Sequence, residues 1–254
     1  MTATVSRVDE AIVRAGLDTV LDPELDEPIT ELGFVRSVEV AGDAVTVHLR
    51  LPTSFCSPNF AYLMASDAKD AVRALAGVGE VTVELDDHHD SGLINRGLAA
   101  DAGYRGTFRH EAEESLDELR AVFRRKSHTA AMERVLTPLV DAGADPAAVV
   151  LGDVPAGKGR EALIARRSAL DLDCGPDARV RVTDDGTPGA PERAGAALRR
   201  ARSVRISIDG NAHFCRGLLA TRYPGSEHDQ TPRPDDDSTT RRVLPLITPE
   251  RTRP

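Results

Sequence analysis

The chain contains no tryptophan, and aromatic residues fill only 4% of its 254 positions. No apolar run approaches the 18 or so residues that a membrane-spanning helix needs. The N-terminal MTATVSRVDE also lacks the basic and apolar regions of a secretory signal, so the expectation is a soluble, cytoplasmic protein with no membrane partner. Three cysteines, Cys56, Cys174 and Cys215, are too few for a disulfide framework or a closed four-thiolate metal site, and they suit a reducing compartment. Lysine is scarce too: it supplies three of the 32 basic residues, an arginine bias that points to a GC-rich bacterial genome. A net charge of −9 argues against nucleic acid as the main partner, because phosphate binding draws on concentrated positive charge. What remains is a 41% hydrophobic chain, long enough for one large or two modest domains with a real core.

Residues 7–21 place Val13, Leu17, Val20 and Leu21 on one helical stripe, which Asp22-Pro23 is expected to stop. FVRSVEV and VTVHLRL flank Ala-Gly-Asp, and Val45, Val47, Leu49 and Leu51 alternate with Thr46, His48 and Arg50, so a β-hairpin with one buried face is predicted. Helical spacing returns from Pro58 to Ala76, with Gly77 placed to end it, and EVTVEL supplies a third strand. Helix, hairpin, helix and strand describe a small α+β domain over residues 1–90. A mainly helical region with a few strands follows over 91–223: helices at 92–102, 111–126 and 128–142, mostly helical text at 145–172, and strands at ARVRV and SVRISI. From residue 224 to 254 apolar periodicity fades except for a brief VLPLI, so a disordered tail is expected.

Cys56 stands where the strand VTVHLRL passes through a short loop into the second helix. Unpaired backbone N–H groups and the helix dipole there favour a thiolate, the form that binds metal or attacks electrophiles. The dipole supplies only about 0.3–1 kcal/mol, so metal or a second positive group, with Arg36 and Arg50 as candidates, must do the rest. Asp22-Pro23-Glu24 offers two carboxylates to the same pocket. A lone cysteine with carboxylates is an incomplete ligand set, which suits transient holding of iron better than storage; a symmetric homodimer would supply a second thiolate. The plainer reading makes Cys56 a small buried hydrophobe and Asp22-Pro23-Glu24 a helix stop.

Residues 8–87 resemble the FSCA-domain family of iron–sulfur cluster assembly factors, which includes the PaaD-like and SufT-like proteins. The resemblance rests on DPEL at 22–25, Ile29, Leu32-Gly33, Val35, the strand VTVHLRL, Thr53 three residues before Cys56, and the helix followed by GVGEVTVEL. It departs from the family pattern at Phe55, where a small residue is usual, and at Ser57, which intervenes before Pro58. The resemblance implies the helix, two-strand, helix, strand fold. It also implies a non-enzymatic role in assembling or delivering clusters or iron to a client metalloprotein, with Asp22, Glu24, Thr53 and Cys56 as the cofactor-binding residues. The remainder is loosely similar to long actinobacterial relatives that accompany metal-dependent monooxygenases, which makes such an enzyme a candidate client. The alternative is a metal-free interaction module that kept the fold.

Other constellations compete. Asp86-Asp87-His88-His89-Asp90 groups carboxylates with two imidazoles, plausible iron, zinc or manganese ligands, although contiguous residues rarely face one ion and a solvated loop is the simpler expectation. His213 and Cys215, with Cys174, would complete a mixed Cys/His metal site beside Cys56, but without tight Cys-x-x-Cys spacing the two cysteines read first as buried structural residues. His213 is expected in an exposed loop. The run from Gly152 to Gly157 and Lys158 fits seven positions of a P-loop but has Gly159 where Ser or Thr is needed, so an ATP-dependent carrier is the weakest of three readings. Gly103-Tyr-Arg-Gly106 has GxxG spacing without flanking basic residues. His48, His110 and His128 are read as solvated or capping side chains.

Overall fold

The computed structural model describes residues 8–108 and 116–231, and is an α+β protein with a small three-stranded sheet. Helix α1, Glu10–Leu17, starts where Asp9 Oδ1 accepts the Ile12 N–H at 2.9 Å, and it buries Val13 and Leu17. It ends before Asp22-Pro23 is reached, one turn earlier than the apolar spacing predicts. Strands β1, Val35–Ala41, and β2, Ala44–Leu49, pair antiparallel through the two-residue turn Gly42-Asp43, where Gly42 takes a φ of +70°. Helix α2, Pro58–Arg73, opens with proline in its first turn, where a missing N–H costs nothing. It crosses over to β3, Val81–Leu85, which pairs parallel to β2. The sheet order β1-β2-β3 leaves one face packed on α1 and α2, with Val45, Val47, Leu49, Val81, Val83 and Leu85 all buried.

Two helices extend this core. α3, Ser91–Ala99, and α4, Gly103–Phe108, add Ile94, Leu98 and Phe108, and they approach so closely that a Cβ on Gly97 would overlap the Thr107 side chain. The GxxG stretch lies inside α4 and forms no loop. Helix α5, Leu116–Asp141, is continuous where a break near residue 127 was expected. With α6, Lys158–Ser168, and α7, Ala194–Arg222, it builds a second core around Met132, Leu136, Leu151, Leu163, Val180 and Ala201. Of the predicted helix at 145–172 only α6 and a short 3-10 turn at Leu151–Asp153 form. ARVRV makes single bridges, Val150 to Arg179 and Val182 to Pro188, and no strand.

The largest departure is SVRISI, which lies within α7. Its local alternation of Val204, Ile206 and Ile208 mimics a strand, yet Ala194, Ala201, Ile208, Ala212 and Leu219 are the apolar residues buried, a spacing of seven or four that only a helix satisfies. Ile206 is left exposed. Helix α7 spans both cores, about 43 Å at 1.5 Å per residue over its 29 residues. The first residues of the expected tail are structured. Residues 224–231 include a 3-10 turn at Ser226–Asp229, and they bind back: Arg50 Nη2 donates to Asp229 Oδ2 at 2.6 Å and Thr231 N donates to Glu31 O at 2.9 Å. VLPLI and His110 lie outside the described residues.

The two halves are joined by ions. Asp26, 5% exposed, accepts Arg166 Nε from α6 at 2.8 Å, and Glu27, 2% exposed, accepts Arg216 Nη2 from α7. Glu133 on α5, also buried, takes Arg205 Nε of α7 at 2.5 Å, and His128 is buried close to Arg167, so that burial first and that cation second push its pKa down to about 4. Removing one member of a buried pair leaves an uncompensated charge. Arg216→Met is expected to lower unfolding free energy by about 3–5 kcal/mol, read from the urea midpoint, and to restore part of that loss when Glu27→Gln is added.

Candidate functional site

The loop after β2 carries the first part of the site. Thr53 Oγ1 accepts the Phe55 N–H at 3.2 Å, closing a tight turn, and the same oxygen lies 3.3 Å from Cys56 Sγ. Ser57 is the N-cap of α2, so Cys56 stands one residue before the cap, in the loop that leads into the helix. Cys56 is half-buried and free of any disulfide. Its backbone is clamped from β3: His88, 5% exposed, donates Nε2–H to Cys56 O at 2.8 Å while its Nδ1 accepts Asp90 N–H at 3.1 Å, a tautomer inferred from those partners. Both ring nitrogens are therefore used, and His88 shapes the loop in place of offering a metal ligand. His89 is exposed and stacks on Phe55, with ring centroids 5.9 Å apart.

The acidic half comes from the turn after α1. Asp22 Oδ1 accepts the N–H groups of Glu24 and Leu25, both at 2.8 Å, and the turn closes when Asp26 N donates to Asp22 O and Asp22 N to Glu27 O. Burial dominates these bonds, and with the charges of Glu24 and Glu27 it raises the Asp22 pKa to about 6. Glu24 stays exposed. A cavity of about 430 Å³ borders this turn, with Asp22, Pro23 and Asp26 on one side and α5 and α6 on the other. Its Asp26 and Asp67 carboxylates are already paired with Arg166 and Arg120.

Helix α7 closes the arrangement, something no local signal in the sequence announces. Asn211 Nδ2 donates to Glu24 Oε1 at 3.3 Å, Arg222 Nη1 donates to Leu51 O at 3.0 Å, and the Tyr223 hydroxyl donates to Asp87 at 3.1 Å. Half-buried Cys215 faces this loop pair. Its pKa is pushed up to about 12, chiefly by burial and then by the charges of Asp22, Cys56 and Glu24, so the thiol is protonated at neutral pH. His213, two residues away on the helix, points nearly opposite and is exposed, in a helix and not in the expected loop. Cys174 is exposed near the end of α6, its Sγ 3.3 Å from Leu172 O, and stands apart from this group.

The remaining candidates divide differently. Arg36 binds Asp86 Oδ2 at 2.9 Å, and Arg50 donates to Gly33 O and Asp229, so the contacts of both guanidiniums lie with those groups and not with the thiol. His48, read from the sequence as merely solvated, bonds Asp86 Oδ1 at 3.0 Å, and ligand-type atoms of His48, Glu84 and Asp86 lie within 4.8 Å of one another on the open sheet face. The signal for that trio was strand register: His48 pairs with Glu84 across β2 and β3. At the P-loop-like run, no strand of the sheet leads into Gly152, which lies within the 3-10 turn Leu151–Asp153, so the frame that phosphate-binding loops require is missing.

The N-terminal domain thus combines a crossover helix on a small sheet, a thiol next to a threonine hydroxyl in the loop before that helix, and a buried acidic turn. Residues 10–84 match the family model described as iron–sulfur cluster assembly protein. Over 73 residues, 28% of this chain and 75% of the relative, the sequence is 37% identical to an uncharacterized protein of Methanocaldococcus jannaschii. The chain belongs to the iron–sulfur cluster assembly protein family through its N-terminal domain, and a general role in cluster assembly follows from that membership. No helix among the described residues is long and apolar enough to cross a membrane.

Asp22 gives a pH test of this geometry. A carboxyl raised from 3.8 to about 6 is favoured neutral in the fold, so its contribution is present below pH 4 and lost as pH rises through 6. Asp22→Asn keeps an oxygen acceptor for the two N–H groups and removes the ionisation. It is expected to raise stability by about 2–3 kcal/mol at pH 8 and by nothing at pH 4, as chemical denaturation at the two pH values would show.

Proposed function

We propose that this protein is a non-enzymatic maturation factor that takes up iron or an iron–sulfur cluster as cargo on the Cys56 thiolate and passes it to a client metalloenzyme in a reducing, cytoplasmic setting. The observation that carries the reading is the meeting of Cys56 Sγ with Thr53 Oγ1 at 3.3 Å in a half-buried loop just before α2, in the domain that also carries the acidic turn of Asp22 and Glu24. A soft thiolate with hard oxygen donors suits iron, and a site short of a full ligand set favours handing cargo on over keeping it. Asp22 and Glu24 supply negative charge that offsets that of the cation, and Thr53 orients the sulfur.

A second reading, a metal-free interaction module of the same fold, draws on Phe55, which stands 79% exposed beside the cysteine where the family usually has a small residue. Anaerobic reconstitution with ferrous iron, sulfide and a thiol reductant separates the two. Cys56→Ala is expected to lose the visible sulfur-to-iron absorbance and to lower activation of an apo-client by on the order of tenfold or more. Equal absorbance and equal client activation in the variant and the parent would leave the interaction module as the surviving account.

A further inference from the structure

The outer face of the sheet carries a group of donors that the Cys56 site does not use. His48 on β2 and Glu84 on β3 are register partners in the parallel ladder, so both side chains leave the same face side by side. Asp86 follows Glu84 by two residues and turns its carboxylate to His48, while its N–H donates to Leu49 O at 2.7 Å as the ladder runs out. One ligand atom from each residue, an imidazole nitrogen and two carboxylate oxygens, lies within 4.8 Å of both others. Ligands of one ion at bond lengths of about 2.0–2.2 Å stand roughly 3–4 Å apart. His48 Nδ1 and Asp86 Oδ1 already meet that spacing at 3.0 Å, and the exposed Glu84 side chain can turn to close the rest. The charges favour a cation. Arg36 Nη1 holds Asp86 Oδ2 at 2.9 Å, which leaves Oδ1 aimed at His48 and steadies the carboxylate as outer partners steady metal ligands. Glu84 has no ion-pair partner among the described residues, so two carboxylates share one guanidinium.

We propose that His48, Glu84 and Asp86 form a divalent-cation site on the outer face of the sheet, separate from the Cys56 loop and suited to ions of borderline to hard character such as manganese(II). One imidazole and two carboxylates, with water in the remaining positions, make a thiol-free donor set of the kind that zinc, manganese and ferrous iron accept. On binding, the ion takes the place of the proton between His48 Nδ1 and Asp86 Oδ1. That proton passes to Nε2 as the ring changes tautomer, and no oxidation state changes. The site goes beyond the reading of Cys56 and does not rest on it. The strand end that the ion would pin, Glu84 to Asp86, nevertheless runs on to His88, which holds the Cys56 carbonyl.

Manganese(II) is the probe, because it prefers carboxylate oxygen to thiolate and its free form is counted by electron paramagnetic resonance. Titration of the full chain is expected to remove free-ion signal equally in the parent and in Cys56→Ala. His48→Gln and Glu84→Gln are each expected to raise Kd on the order of tenfold or more, while Glu39→Gln, which alters a carboxylate elsewhere on the same face, leaves it unchanged. A measurement on the unmutated chain covers the case of a variant that does not fold: electron spin echo modulation of the bound ion should show one coordinated imidazole nitrogen. Absence of that nitrogen, parent-like Kd in both His48→Gln and Glu84→Gln, or no loss of free-ion signal in the parent would each overturn the site. Binding lost in Cys56→Ala and kept in His48→Gln would overturn it too, and would assign the ion to the thiol loop, leaving the Cys56 reading standing.

Discussion

The six residues DPELDE at 22–27 put four carboxylates into one tight turn, and the fold is organised around making that turn tolerable. Asp22, Asp26 and Glu27 are all buried, and burying a carboxylate without compensation costs several kcal/mol. Compensation for the two deepest comes from far along the chain: Arg166 on α6 binds Asp26, and Arg216 on α7 binds Glu27. Glu24 remains exposed with only the Asn211 amide for company, and Asp22 has two backbone N–H groups and no cation. Burial without a cation partner raises Asp22 toward neutrality.

That requirement makes the C-terminal half part of the site. A free assembly domain would expose the turn to water, which solvates carboxylates well; docking α6 and α7 removes the water and must replace it with guanidinium groups. The same docking brings Leu219 and Ala212 into the first core and seats residues 226–231 against Gly33, whose φ of +76° disfavours a side chain and whose Cβ position would press on Gln230 and Leu219. Burial of aliphatic surface and pairing of charge thus act on one helix together. Since α7 also enters the second core through Ala201, the two cores are coupled through a single rigid element.

How much of this was written locally can be judged residue by residue. The hairpin and α2 were legible because Val45, Val47, Leu49 and Leu51 alternate without exception and Pro58 with Gly77 punctuates the helix. The Thr53–Cys56 pair was legible because a three-residue turn keeps its members together whatever the tertiary structure does. α7 was not, because Val204, Ile206 and Ile208 alternate locally while the seven-residue spacing of small residues that decides the matter spans five times that window. Nor was the split role of Asp86–Asp90, where Asp86 turns to Arg36 and His48 while His88 holds the Cys56 carbonyl: Asp87 between them takes a φ of +53°, which turns the chain after β3, and only the neighbouring elements say what stands on each side.

The clamp by His88 shows how the position of the Cys56 loop depends on groups outside it. The loop at 53–56 has no regular ladder of its own; its position is set by the Thr53 hydroxyl, by His89 N donating to Ser54 O at 2.9 Å and by His88 on Cys56 O. These bonds come from the end of β3, and the next turn of that strand end, at Asp87, is held by Tyr223 and Arg222 of α7. The thiol is therefore positioned from both flanks by one chain of contacts running from β3 through Asp87 into α7. A helix that fixes the cysteine loop at one end and the acidic turn at the other sets the spacing between the two segments, so neither can shift without disturbing the other.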